Sequence, residues 1–239
     1  VITALLVSVN YSDCLKVALP HNTLQFDQII VITTESDKEC QDICSKYSNV
    51  KCLVVPDEAV KTPTNPFSKG ALTNKGFEYL NEIGYSDWLV ITDADIVFPE
   101  NFKELLLSKK KNPNILYGIA RRFCKNLTCF NEYLNTKNTA FCTIGSRMSS
   151  LLFNGYCQIF IYSANKFVYS EIDTEWDDLW FLSYFSKYVK RSMAANEKKP
   201  YLWCRPSPSL VLLSTMNYFV IHLGVPEVNW HGRKSEPFI

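Results

Sequence analysis

The feature that most constrains this chain is the exchange, over its first hundred residues, of short unbroken apolar runs with stretches of helical periodicity. Residues 2–9 form the first run. Residues 28–34 repeat it with Ile29, Ile30, Val31 and Ile32, residues 51–55 follow and end at Pro56, and residues 88–92 make the fourth. Runs that do not alternate with polar residues belong to strands covered on both faces. Between the second and third runs, Ser36 reads as a helix N-cap and Glu39 as its capping-box partner. Cys40, Ile43, Cys44 and Tyr47 then give that helix one inward stripe. A second helix is expected over 69–83, with Leu72, Gly76, Tyr79, Leu80 and Ile83 aligned. Gly76 costs that helix about 1 kcal/mol relative to Ala, which close approach to a sheet would explain. Pro63, Asn65 and Pro66 mark a connecting loop long enough to be functional. Repeated strand–helix units predict an α/β fold on a mostly parallel sheet with right-handed crossovers.

A chain of 239 residues, 47% of them hydrophobic, can bury a substantial core as one α/β domain over 1–239. Lys and Arg number 25 against 24 Asp and Glu, which leaves no broad basic face and argues against a nucleic-acid partner. No apolar stretch is long enough to span a membrane. The first residue is Val1, with no signal pattern after it, as expected of a trimmed chain or one domain of a longer protein. Several of the nine cysteines sit at core spacings, which reads as packed, reduced thiols; Cys124 and Cys129 lack the second pair a zinc site needs. Of two glycosylation sequons, the one at Asn10 falls at a strand tip where a glycan would obstruct a ligand. Thiols and sequon together predict a cytoplasmic protein.

Beyond a fifth strand at 115–119 the regularity stops. Residues 121–150 are polar and aperiodic, which predicts a substrate-specific insertion or a mobile segment. Further elements are expected as strands at 156–162, 210–213 and 218–223 and a helix over 177–189.

Asp93-Ala94-Asp95 follows the fourth strand directly. In parallel sheets ligands bind beyond the carboxyl ends of the strands, so the pair sits where chemistry is expected. Two carboxylates there cannot both be buried unpaired, because desolvation costs several kcal/mol for each ion. A divalent cation with a preference for oxygen ligands, Mn²⁺ or Mg²⁺, resolves the conflict; helix capping or solvation of the two acids is the plain alternative.

Taken together, Val9-Asn10-Tyr11, Thr33-Thr34, the Lys69-Gly70…Asn74-Lys75-Gly76 helix start and the WLVITDAD stretch resemble GT-A glycosyltransferases, including the small transferase domains of large DNA viruses. The resemblance covers most of the chain and is strongest over 2–100. It implies a GT-A central sheet flanked by helices with a smaller mixed C-terminal part, a nucleotide-binding half at 1–100 and an acceptor-binding half at 101–239. It also implies transfer of a hexosyl or deoxyhexosyl group from a nucleoside-diphosphate sugar, UDP favoured, to a hydroxyl of a glycan, in the host cytoplasm if the chain is viral. Carried over residue by residue, Val9, Asn10, Tyr11, Thr33 and Asp37 would line the base pocket. Asp93 and Ala94 would lie near the ribose, Lys69 near the phosphates, and Asp95 would ligate the metal.

The acidic run Asp173, Glu175, Asp177, Asp178 opens a helix, where the dipole alone accounts for acids. The resemblance makes Asp178, then Asp177, the candidate general base for the acceptor hydroxyl. It likewise suggests a C-terminal His in the metal shell: His222 first, after its apolar strand, then His231. Arg233 and Lys234 are candidates for meeting leaving-group charge. Tyr156, Trp176, Trp180 and Trp230 could stack on sugar rings or simply fill the core. Two rival functions stay open. A nucleotidyltransferase would normally carry a Gly-rich loop after the first strand, which Asn10-Tyr11-Ser12-Asp13 is not. A non-catalytic nucleotide-sugar or glycan binder would bind without turnover.

Overall fold

The structure is a computed structural model that describes residues 1–61, 67–144, 156–169, 181–182, 184–185, 208–213, 218–224 and 237–239. The apolar runs become the strands β1 (Ile2–Val7), β2 (Gln28–Thr34), β3 (Val50–Val55) and β4 (Trp88–Asp93). Later strands are β5 (Ile96–Val97), β6 (Leu116–Gly118), β7 (Ala120–Cys124), β8 (Thr143–Ile144), β9 (Cys157–Ile161), β10 (Leu210–Leu212) and β11 (Phe219–Leu223). A seven-stranded sheet runs in the order β10-β6-β9-β4-β1-β2-β3, and a second sheet in the order β5-β11-β7-β8. In the large sheet only β9 is antiparallel to its neighbours. The small sheet is mixed, with β11 parallel to β7 and antiparallel to β5. This is the expected α/β architecture: a mostly parallel sheet between helices, with a smaller mixed part.

Neighbouring residues of one strand serve opposite faces, which is why the runs do not alternate. Ala4, Leu6, Ile29 and Val31 pack with Leu15 and Leu19 of α1 (Ser12–Asn22), Cys40 and Ile43 of α2 (Lys38–Cys44), and Phe102 and Leu106 of α4 (Phe102–Leu107). Leu5, Ile30, Ile32 and Ile91 face Leu72, Phe77 and Leu80 of α3 (Lys69–Glu82). Gly76 is where α3 comes closest: a Cβ there would stand 2.4 Å from Leu5 Cδ1 and 2.9 Å from Leu5 Cδ2. The glycine is the space in which Leu5 sits.

Three expectations need correction. The N-cap of α2 is Asp37, whose carboxylate accepts from Cys40 N at 3.2 Å. Ser36 instead donates to Asp57, and Glu39 accepts the Ser12 hydroxyl at 2.7 Å, so there is no capping box. Residues 121–150 are not irregular throughout. They supply β7, β8 and α5 (Leu127–Thr136), whose Phe130 packs with Cys124, Cys142, Phe219 and Ile221 behind the small sheet. Tyr156 is buried, and its hydroxyl donates to Ile119 O at 2.6 Å, so it is not a sugar platform. The described cysteines are free thiols, most of them buried. Of the helix expected over 177–189, only 181–182 and 184–185 are described; Phe181, Leu182 and Phe185 join the α3-side core. Among the described residues, no helix is long and apolar enough to cross a membrane.

Candidate functional site

The chain passes from the large sheet to the small one through Asp93-Ala94-Asp95. Asp93 is the last residue of β4, beside Val7 of β1, and Ile96 begins β5. Two residues beyond Val7, the half-buried Val9 leads into Asn10, which has a left-handed backbone (φ 61°). The carboxylate of Asp37 holds that bend by accepting Asn10 N at 2.9 Å while also capping α2. Tyr11 follows as the N-cap of α1. Asparagine tolerates positive φ better than most residues, which accounts for it here. Val9, Asn10, Tyr11 and Asp37 thus form one turn at the strand ends. Thr33 is wholly buried and lies beneath that surface, not in its wall.

Lys69 opens α3 and its ammonium pairs with the Asp93 carboxylate. A lysine in a helix's first turn is opposed by the dipole, so the nearby carboxylate offsets an unfavourable placement. Ala94, 4% exposed, is packed into the core between the two acids.

Asp95 lies in a different environment. It is 7% exposed, and its Oδ2 accepts from His222 Nε2 at 3.0 Å. Its Oδ1 is buried with no hydrogen-bond partner among the described residues. Backbone pairing fixes the geometry: Ile96 registers with His222 across β5 and β11, and Leu223 N donates to Asp95 O at 2.8 Å. The imidazole stacks on Phe123, with centroids 4.6 Å apart. On its far side Arg121 Nη1 stands 3.3 Å from His222 Nδ1. A guanidinium can only donate, so Nδ1 accepts, and Nε2 carries the proton given to Asp95.

Asp95 and His222, the two residues first named as candidate metal ligands, are thus brought into hydrogen-bond contact across 127 positions of sequence. Asp95 Oδ1, buried and without a partner among the described residues, is a donor suited to Mn²⁺ or Mg²⁺; His222 would join it only through Nε2 once that nitrogen has given up its proton, because a protonated ring nitrogen cannot ligate. Among the described residues no third His, Cys, Asp or Glu completes a cluster. An ion that keeps water and phosphate ligands needs only one or two protein groups. Asp177, Asp178, His231, Arg233 and Lys234 lie outside the described residues, as do Trp176, Trp180 and Trp230. Arg121 was not anticipated. It falls at the start of the stretch read as aperiodic, and only the alternation of Arg121 and Phe123 against Arg122 and Cys124 could have marked a strand there.

No family model and no curated protein matches the chain. Among solved structures it is similar to 4-diphosphocytidyl-2C-methyl-D-erythritol synthase of Anaerococcus prevotii, at 13% identity and a TM-score of 0.37, over 64% of this chain and 80% of that one. It is also similar to glucosyl-3-phosphoglycerate synthase of Mycobacterium tuberculosis, at 14% identity and a TM-score of 0.36, over 67% of this chain and 56% of that one. A third is the inositol-1-phosphate CTP transferase of T. maritima, at 6% identity and 0.31, over 52% and 54%. The chain spans little more than half the length of the second and third. Likenesses this distant carry no information on its activity.

Proposed function

We propose that the chain is a metal-dependent glycosyltransferase of GT-A type, moving a sugar from a nucleoside-diphosphate sugar, UDP favoured, to a hydroxyl of a glycan. The observation that carries the reading is the buried Oδ1 of Asp95, without a partner among the described residues, next to His222 at the carboxyl end of β4. A core carboxylate oxygen left without a partner has a cost that a ligand from outside the chain can remove. Strand ends of a parallel sheet are where such a ligand arrives.

The residues divide the work by position. Asn10 and Tyr11, braced by Asp37, present the edge on which the base rests, and Lys69 with Asp93 stands toward the ribose and phosphates. Asp95 would hold Mn²⁺ or Mg²⁺, with His222 as second ligand once its Nε2 has lost the proton it gives to Asp95, and the ion would supply neutralisation of the departing diphosphate. Asp178, or Asp177, takes the acceptor's proton as its oxygen bonds to the anomeric carbon and the bond from that carbon to the diphosphate breaks. Arg233 and Lys234 meet the charge that develops on the leaving group, and His231 is a further candidate ligand. No glycine-rich loop follows β1; the turn there is closed by the Asp37 side chain, which favours glycosyl over nucleotidyl transfer.

The test is a thermal-shift panel of nucleotide sugars with and without Mn²⁺, on wild type and Asp95→Asn, followed by product analysis. A ligand at a hundredfold excess over Kd adds about 2.7 kcal/mol to stability. Metal-dependent stabilisation by a UDP-sugar, absent in Asp95→Asn, with UDP released on turnover, is the expected result. Release of pyrophosphate from a nucleoside triphosphate would identify a nucleotidyltransferase instead. Binding without turnover, unaffected by Asp178→Asn, would identify a binding domain.

A further inference from the structure

We infer that Arg121 is an anion-binding residue of this site, the group that takes diphosphate oxygens beside Asp95. Naming the anion a diphosphate rests on the nucleotide-sugar reading. The guanidinium lies over two rings, 4.3 Å from the Tyr156 centroid and 4.8 Å from that of Phe123. Contact with the rings engages the π-face of the cation but does not use up its N–H donors. One of these reaches His222 Nδ1 at 3.3 Å. Among the described residues no carboxylate forms an ion pair with it.

A half-buried guanidinium with donors to spare and, among the described residues, no carboxylate partner suits an anion, because two ring faces and one imidazole nitrogen compensate its charge only in part. Its location selects which anion. Arg121, His222 and Asp95 form one hydrogen-bonded row. A phosphate group on an ion at Asp95 is therefore within one imidazole's width of the guanidinium. Planar, forked donors suit phosphate oxygens better than a point charge does. A cation at Asp95 and the Arg121 charge repel each other until an anion lies between them, so metal and diphosphate each bind more tightly when the other is present.

The neighbouring residue is a built-in control. Arg122 has the same charge and a similar stack, over Phe219 at 4.7 Å, but it belongs to the opposite face of β7. The experiment is titration calorimetry of UDP, inorganic pyrophosphate and uridine, each with Mn²⁺, into wild type, Arg121→Gln, Arg121→Lys and Arg122→Gln. Loss of charge-assisted hydrogen bonds predicts a roughly tenfold to hundredfold weaker Kd for UDP and pyrophosphate in Arg121→Gln. Arg122→Gln stays within about twofold of wild type if only net charge differs. Uridine affinity is unchanged by Arg121→Gln, which a merely structural role would not spare. Should that variant fail to fold, Arg121→Lys keeps the charge without the fork and weakens pyrophosphate several-fold. UDP binding equal in wild type and Arg121→Gln, or an equal loss of uridine and UDP, overturns the inference and leaves the proposed function standing. Pyrophosphate binding that disappears in Arg121→Gln, with no nucleotide bound by wild type, keeps Arg121 as an anion site and removes the nucleotide-sugar reading. If neither UDP nor pyrophosphate binds wild type, both fall.

Discussion

Removing one or the other member of the Asp95–His222 pair should affect stability to very different extents. Side-chain exposure is 10% for Asp95 and 14% for His222, so the pair is nearly dry. His222→Ala deletes the one side-chain hydrogen bond assigned to the Asp95 carboxylate and the ring stacked on Phe123, leaving a buried charge with neither oxygen satisfied. Breaking a buried pair in this way costs about 3–5 kcal/mol. Asp95→Asn keeps an oxygen to accept from His222 and removes the charge that burial disfavours. Its new amide N–H₂ sits where Oδ1 had no partner, at a cost of about 1–3 kcal/mol, against several kcal/mol of relieved desolvation. The asparagine variant should therefore be no more than about 1 kcal/mol less stable than wild type, and can be more stable. Urea unfolding in EDTA, followed by far-UV circular dichroism, measures both if the m-values agree. Addition of Mn²⁺ should raise the midpoint of wild type and leave Asp95→Asn where it was. A loss in Asp95→Asn as large as that in His222→Ala would refute the reasoning, because the carboxylate would then be holding the fold.

Other variants test the frame around the site. Gly76→Ala gains about 1 kcal/mol of helix propensity but drives a methyl into both Leu5 δ-carbons in a closed core, a cost toward the upper end of about 1–3 kcal/mol. A net loss of about 1–2 kcal/mol in denaturant melts is expected, and stabilisation would contradict the close approach. Asp37→Ala removes the α2 cap and the brace on Asn10 together, for about 2–3 kcal/mol, and should weaken UDP even where the protein is fully folded. Burial, and then the charge of Lys137, hold His21 below its ordinary 6.5, with Glu100 opposing. The unfolded chain therefore takes up the proton first. Stability from this group is complete above about pH 6.5 and is lost as pH falls toward the folded value, a decline that His21→Gln should flatten in pH-dependent melts. Asp178→Asn should bind UDP-sugar as wild type does and lose turnover by about a hundredfold or more, read as UDP released.

The parallel half of the fold was legible because its strands are buried on both faces, and burial on both faces leaves a continuous apolar run. The run at 28–34 became β2 without shift, and the helix read over 69–83 became Lys69–Glu82. What escaped was structure whose signal is weak by nature. The sequence reading assigned no helix to α1, which carries Pro20 in its last turn, and α5 buries only Phe130 among its ten residues. The strand β7 carries two half-buried arginines that resemble loop residues until the aromatic rings of Tyr156, Phe123 and Phe219 come to lie against them. The α2 cap failed for a related reason: Ser36 and Asp37 are both good N-caps, and only the tertiary demand of Asn10 N and Asp57 decides between them.

The same limit explains which part of the site could be read. Asp93 and Asp95 are two residues apart, and their spacing gives no hint that they belong to different sheets. Asp93 ends β4 and meets Lys69 from the helix that precedes that strand, a local arrangement within one strand–helix unit. Asp95 faces β11, and its partner His222 arrives because Ile96 and Val97 leave the large sheet to pair antiparallel with that strand. The short link at 93–95 therefore carries one carboxylate on each side of a junction between two sheets. A ligand that touches both carboxylates bridges the sheets. If so, wild type saturated with UDP and Mn²⁺ should protect the amide hydrogens of β5 and β11 from exchange as well as those at the end of β4, whereas Asp95→Asn with UDP should protect the β4 side alone. Protection confined to β4 in wild type would mean that the ligand never engages His222, and the metal role assigned to the pair would have to be given up.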